Sequence, residues 1–270
     1  MQFTGEALFW SVLFPLLGSS ALLALLARAP RPLARRVIAP GLVLLYLAFF
    51  SGIFGFPAAP FDPNRILTAR DALAWVLVGV GVLGAVVPTR RGFPVVELLV
   101  GAGIWLAVGR ARLRGLDSFP VAAVVSLAVL AAYVAHTWCY ERLEDRLGPR
   151  RSASFLAAFA FASSFCVAVS GSVLLAQVVG ATGMLLLPAA WLRTELSGAG
   201  LRTLTAMQFG LLAASTLYSG LDGRDAVFLA LALGLAGGLP ACSTRGLLVA
   251  YVPALVAVVD CAVRHSSKLF

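Results

Sequence analysis

The stretch SASFLAAFAFASSFCVAVSGSVLLAQVVGATGMLLLPAAWL, residues 152–192, decides the fold class. A helix that crosses a bilayer needs about 20 consecutive apolar residues, with a range of roughly 17–25. This stretch is apolar throughout and too long for one crossing. Ser170-Gly171-Ser172, near its middle, supplies the small, turn-forming residues at which the chain can reverse. One helix is therefore expected before that tripeptide and another after it.

Working outward with the same ruler gives further helices at 7–27, 37–56, 71–87, 93–109, 118–139, 204–220, 226–242 and 247–263. The expectation is an all-α, polytopic membrane bundle of about ten helices forming one transmembrane domain over residues 1–270, with no soluble domain. The third, fourth, eighth and ninth helices are near the short limit. Were any of them re-entrant or kinked, the count would fall to nine or eight.

Composition agrees. Of 270 residues 60% are hydrophobic and 12% charged, with a mean hydropathy of +0.94; soluble domains carry roughly 25% charge. So few charges cannot wet a globular surface. The opening Met1-Gln-Phe-Thr-Gly-Glu6 lacks the basic region and cleavage site of a secretory signal, so the first apolar stretch is expected to be retained. The net charge of +9 comes from twenty arginines and one lysine, placed beside apolar spans. There they meet lipid headgroups and set orientation, which argues against nucleic acid as a partner. Thirteen basic residues fall on one side of the ten-helix scheme, including Arg28, Arg31, Arg35, Arg36, Arg142, Arg146, Arg150, Arg151 and Arg202, and eight on the other. The richer side is expected to be cytoplasmic, with both termini outside. Cys139, Cys166, Cys242 and Cys261 form no CxxC pair and read as small buried hydrophobes.

Glycines raise two motifs. Gly79-Val-Gly81-Val-Leu-Gly84 matches the dinucleotide string GxGxxG, but that reading needs a strand and a soluble βαβ unit. Within an apolar helix such glycines let a neighbour approach closely, and the same is expected of the GxxxG pair Gly234 and Gly238. The cluster Gly101-Ala-Gly103 and the cluster 234–238 occupy matching places in a 5+5 division of the chain near Arg150, which would make the halves an inverted repeat.

Few polar residues fall inside the spans. Glu97 lies four residues into its helix, and a carboxylate there needs a partner, water or a proton. Arg90 and Arg91 are close enough in sequence to pair with it. His136, beside Trp138 and Tyr140, is expected at the interface, level with Glu97 and Gln208, so that a Glu–His pair could pass a proton. Asp260 and Arg264 share a helix face at i, i+4. Gln177 is expected to bond between helices. Thr182 lies in Gly180-Ala-Thr-Gly183, one turn before Pro188, where the helix either unwinds to bind an ion or substrate or kinks with close packing.

Several chemistries lack their parts, and no cofactor is expected. The only lysine is Lys268, so no retinal Schiff base can form inside a helix, and His265 lies too near the end to join His136 on a haem or zinc. Asp222-Gly223 opens like an alcohol phosphatidyltransferase motif, whose later aspartates are missing; His136 precedes Ser172, the reverse of the rhomboid protease order.

Three functions follow as expectations. The first is a small permease, similar in size to the drug/metabolite transporters, moving a small solute with proton coupling at Glu97 and His136. The second is an anchoring subunit in contact with other membrane subunits. The third is a lipid-modifying enzyme using His136 as base. A cavity reaching Glu97 would favour transport; an arginine-paired Glu97 would favour the subunit.

Overall fold

The computed structural model describes residues 5–60, 68–87, 93–113, 118–192, 196, 198–238 and 244–265. Among the described residues there is no strand. The helices are α1 (Gly5–Arg28), α2 (Arg31–Phe54), α3 (Ala69–Val86), α4 (Phe93–Leu113), α5 (Phe119–Ser170), α6 (Val173–Leu192), α7 (Gly198–Tyr218), α8 (Gly223–Gly238) and α9 (Thr244–Arg264). Five of these, α1, α2, α3, α5 and α6, are long and apolar enough to cross a membrane. Much of the outer surface is aliphatic: Leu17, Leu44, Val86, Leu99, Leu106, Val124 and Leu127 are all more than half exposed. That suits a hydrocarbon solvent better than water.

Local chemistry explains the boundaries. Prolines in the first turns of α2 and α5 need no hydrogen bond there and start each helix. Thr68 caps α3 by accepting from the Asp71 N–H at 3.2 Å. The turn expected at Ser170-Gly171-Ser172 is present: α5 ends at Ser170, Gly171 takes φ +136°, and Ser172 accepts from the Leu175 N–H at 3.3 Å to cap α6.

Helix 118–139 does not stop where its apolar run stops. It continues through Arg142 and Arg146, and the arginine-rich segment expected to be a loop is helical. The break comes at Gly148, with φ +73° and ψ 168°, a conformation that only glycine adopts readily. Pro149 follows and starts the second arm. α5 is thus two rods, 119–147 and 149–170.

Close approaches are made at glycines, though not always the expected ones. A Cβ on Gly81 would lie 2.9 Å from Val43, and one on Gly84 2.5 Å from Ala39, so α2 and α3 meet there; Gly79 faces open space. Gly234 and Gly238 also face nothing within 4 Å. Gly237 does the work instead, with its virtual Cβ 3.1 Å from the Cys139 backbone. The GxxxG reading fails because the contact falls on the residue between its two glycines. Around Thr182 the helix does not unwind. α6 runs continuous through Pro188, and Gly180 and Gly183 abut Ser164 and Phe161 of α5.

α7 is the buried centre. Gly200 abuts Ile38 of α2, Gly210 abuts Leu73 of α3, and Phe209 stands edge-on to Tyr133 of α5. The Tyr218 hydroxyl donates to Val108 O of α4 at 2.7 Å. α7 also begins at Gly198, earlier than the expected residue 204, which moves Arg202 from a loop into the bundle.

Candidate functional site

Helix α4 carries a single carboxylate, Glu97, about 6 Å along the axis from Phe93. It is fully buried, and so is Arg202, in the second turn of α7. Arg202 Nε donates to Glu97 Oε1, Tyr133 Oη of α5 donates to Glu97 Oε2 at 3.0 Å, and Arg202 Nη1 donates to Val87 O at 3.3 Å. Three helices are tied at one carboxylate. Tyr133 reaches it because Gly101, one turn along α4, has no Cβ to block the ring: a Cβ there would lie 2.7 Å from Tyr133 Cδ1. Both carboxylate oxygens are occupied and an arginine faces the carboxylate, so the group is held in place. Arg90 and Arg91, the expected partners, lie outside the described residues.

His136 does not join this pair. It lies one turn beyond Tyr133 and is buried among rings, 5.0 Å from Tyr140, 5.6 Å from Phe209 and 6.3 Å from Phe159 between centroids. Among the described residues its Nε2 has no partner, nor do the Tyr140 hydroxyl and both polar atoms of the buried Gln208. His136 thus lies within the bundle and well inside its helix, since α5 continues past it to Gly148. Thr182 bonds its own helix at Val179 O, and Gln177 is half-buried with no bond to a described residue.

Asp260 and Arg264 pair as their spacing requires, at 2.6 Å, but as part of a larger cluster. Arg264 also donates to Asp222 at 2.5 Å and to the buried Asp225 at 2.6 Å, and the Cys261 thiol donates to Asp225 at 2.9 Å. This ties α9 to the start of α8. The backbone N–H of Arg224, at 2.9 Å, and then the Arg264 guanidinium hold the exposed Asp222 carboxyl below its ordinary value.

A cleft of about 460 Å³ lies at the end of the bundle opposite Glu97. Thr68, Ala69 and Arg70 at the start of α3, Phe54 at the end of α2, Ser172 before α6 and Tyr218 at the end of α7 form its mouth. Phe50, Leu73, Leu211 and Ala214 line its walls, and Tyr46 lies deepest. Tyr46 is fully buried and its hydroxyl has no partner among the described residues.

No protein-family model, curated protein or solved structure matches this chain. The site therefore rests on its own geometry. Sequence reasoning found Glu97 and missed Arg202, Tyr133 and the cleft. Arg202 carried a signal: a carboxylate buried in the apolar part of a helix calls for a buried cation, and Arg202 is a lone arginine with apolar residues or threonines on both sides. Nothing in the sequence marks the cleft, whose walls come from four separate helices.

Proposed function

We propose that this chain is a multi-pass integral membrane permease of about ten crossings, with the two arms of α5 counted separately, and that it binds a small solute in the cleft between α2, α3, α6 and α7. The observation that carries this reading is the cleft itself. Its volume of about 460 Å³ falls within the range of small-molecule sites, roughly 300–1,000 Å³. It is mostly apolar, with a few polar groups at the mouth and an unpartnered hydroxyl on its deepest residue. At the other end of the bundle the Glu97–Arg202–Tyr133 tie fastens α4, α5 and α7, and α7 contributes to both. A bundle open at one end and fastened at the other is what alternating access requires.

Proton coupling by Glu97 and His136 is not carried into this reading, because Glu97 is held by Arg202 and His136 sits among rings. The enzyme reading loses its support for the same reason. The anchoring-subunit reading keeps one specific support, the arginine-paired Glu97, which is a fastening rather than a moving part.

Thermal unfolding of the detergent-purified chain against a panel of amino acids, sugars, nucleosides and organic anions separates the two. A solute that stabilises the wild type but not Ala214→Phe, and that enters proteoliposomes only with the wild type, is the expected result. Stoichiometric membrane partners on gentle solubilisation, with no stabilising solute, would replace the permease with the subunit.

A further inference from the structure

We infer that the cleft takes an anionic amphiphile with a single alkyl chain, its head at the mouth and its chain toward Tyr46. This rests on the cleft being the binding site proposed above, and names the class of ligand.

The argument begins with charge at the mouth. Two helices start there, α3 after Thr68 and α6 after Ser172, and both residues line the cleft. A helix N-terminus presents unpaired N–H groups and a partial positive charge. Here two such starts and the Arg70 guanidinium line one cleft. Arg70 lies with its Cζ 4.6 Å over the Phe54 ring, which fixes it across the mouth, and its side chain remains 43% exposed. Among the described residues the one nearby carboxylate, Asp71, is 95% buried and turned back into its helix. It accepts from the Thr68 hydroxyl at 2.7 Å and approaches Arg70 Nε only at 3.5 Å, leaving the terminal nitrogens of Arg70 for an incoming anion.

Below the mouth the walls change character. Phe50, Leu73, Leu175, Leu211 and Ala214 offer no charge. From Phe54 to Tyr46 is eight helical residues, or about 12 Å. A small polar anion such as acetate would leave this depth unfilled, and a neutral or cationic chain would leave the mouth unmatched. Only an anion that carries an apolar chain matches both.

The test uses the full chain in nanodiscs, with radiolabelled decanoate and radiolabelled decanol as probes and empty discs as background. The wild type is expected to bind decanoate saturably and at least tenfold more tightly than decanol. Excess acetate or decyltrimethylammonium should not displace it. Arg70→Gln, a change at an exposed position, should remove the preference by weakening decanoate binding, while Ala214→Phe should abolish binding of both probes. Equal affinity for the two probes, undiminished decanoate binding in Ala214→Phe, or no saturable binding would overturn the inference. Proteoliposome flux keeps the two claims apart. Decanoate that binds but does not cross leaves the inference standing and defeats the permease. Another solute that crosses without decanoate binding does the reverse.

Discussion

At the scale of single residues, two buried titratable side chains, Glu97 bonded to Tyr133 and His136 one turn beyond it, illustrate opposite rules. Both oxygens of Glu97 have partners, whereas His136 Nε2 has none among the described residues. Removing one member of a buried ion pair strands the other, at a cost of about 3–5 kcal/mol. Glu97→Gln is therefore expected to lower the thermal midpoint of the detergent-purified protein sharply. Adding Arg202→Gln should restore part of the loss, so the double variant should be more stable than the sum of the singles. A buried polar atom without a partner already costs about 1–3 kcal/mol. His136→Phe, which keeps a ring between Tyr140, Phe159 and Phe209, should leave the midpoint unchanged or raise it. A fall as large as that of Glu97→Gln would show that His136 has a partner of its own.

At the scale of the element, apolar runs revealed the helices but not their ends. Arg142 and Arg146 were expected in a loop because hydropathy falls there, yet a helix does not end when its surroundings turn polar. It ends where the backbone must leave helical angles, at Gly148-Pro149. α7 shows the converse. It carries Arg202, Thr203, Thr205, Gln208 and Ser215, all buried, and is not among the five helices apolar enough to count as spans. Surrounded by other helices, it has no lipid to satisfy, so hydropathy underrates it. The glycine motifs failed for a related reason: a spacing says which residues share a face, but not which face has a neighbour. Three alanine substitutions make this quantitative. Gly148→Ala should cost about 1–3 kcal/mol through its dihedrals alone. Gly237→Ala should destabilise by forcing α8 from the Cys139 backbone. Gly234→Ala, which meets nothing within 4 Å, should gain up to about 1 kcal/mol of helix propensity. Thermal midpoints of the three variants give the order directly.

At the scale of the whole molecule, the proposed topology and the charge distribution make one joint claim. The turn between α1 and α2 and the kink of α5 gather Arg28, Arg31, Arg35, Arg36, Arg142, Arg146, Arg150 and Arg151 at the Glu97 end, whereas the cleft mouth lies at the other. Arg202 no longer counts toward orientation, because Glu97 neutralises it inside the bundle, which leaves twelve basic residues against eight. By the positive-inside rule, the proposed topology would put the arginine-rich end in the cytoplasm. The cleft, with its two helix N-termini and Arg70, then faces the opposite side. Single cysteines test this, since the native Cys139, Cys166 and Cys261 are buried and Cys242 can be replaced by serine. Arg31 and Gly223 are exposed at opposite ends. With a membrane-impermeant maleimide, Gly223→Cys should label on intact cells and Arg31→Cys only after lysis. The reverse pattern would place the cleft mouth in the cytoplasm. Labelling of both on intact cells would mean that the chain between them does not cross an odd number of times, and the ten-crossing bundle would have to be redrawn.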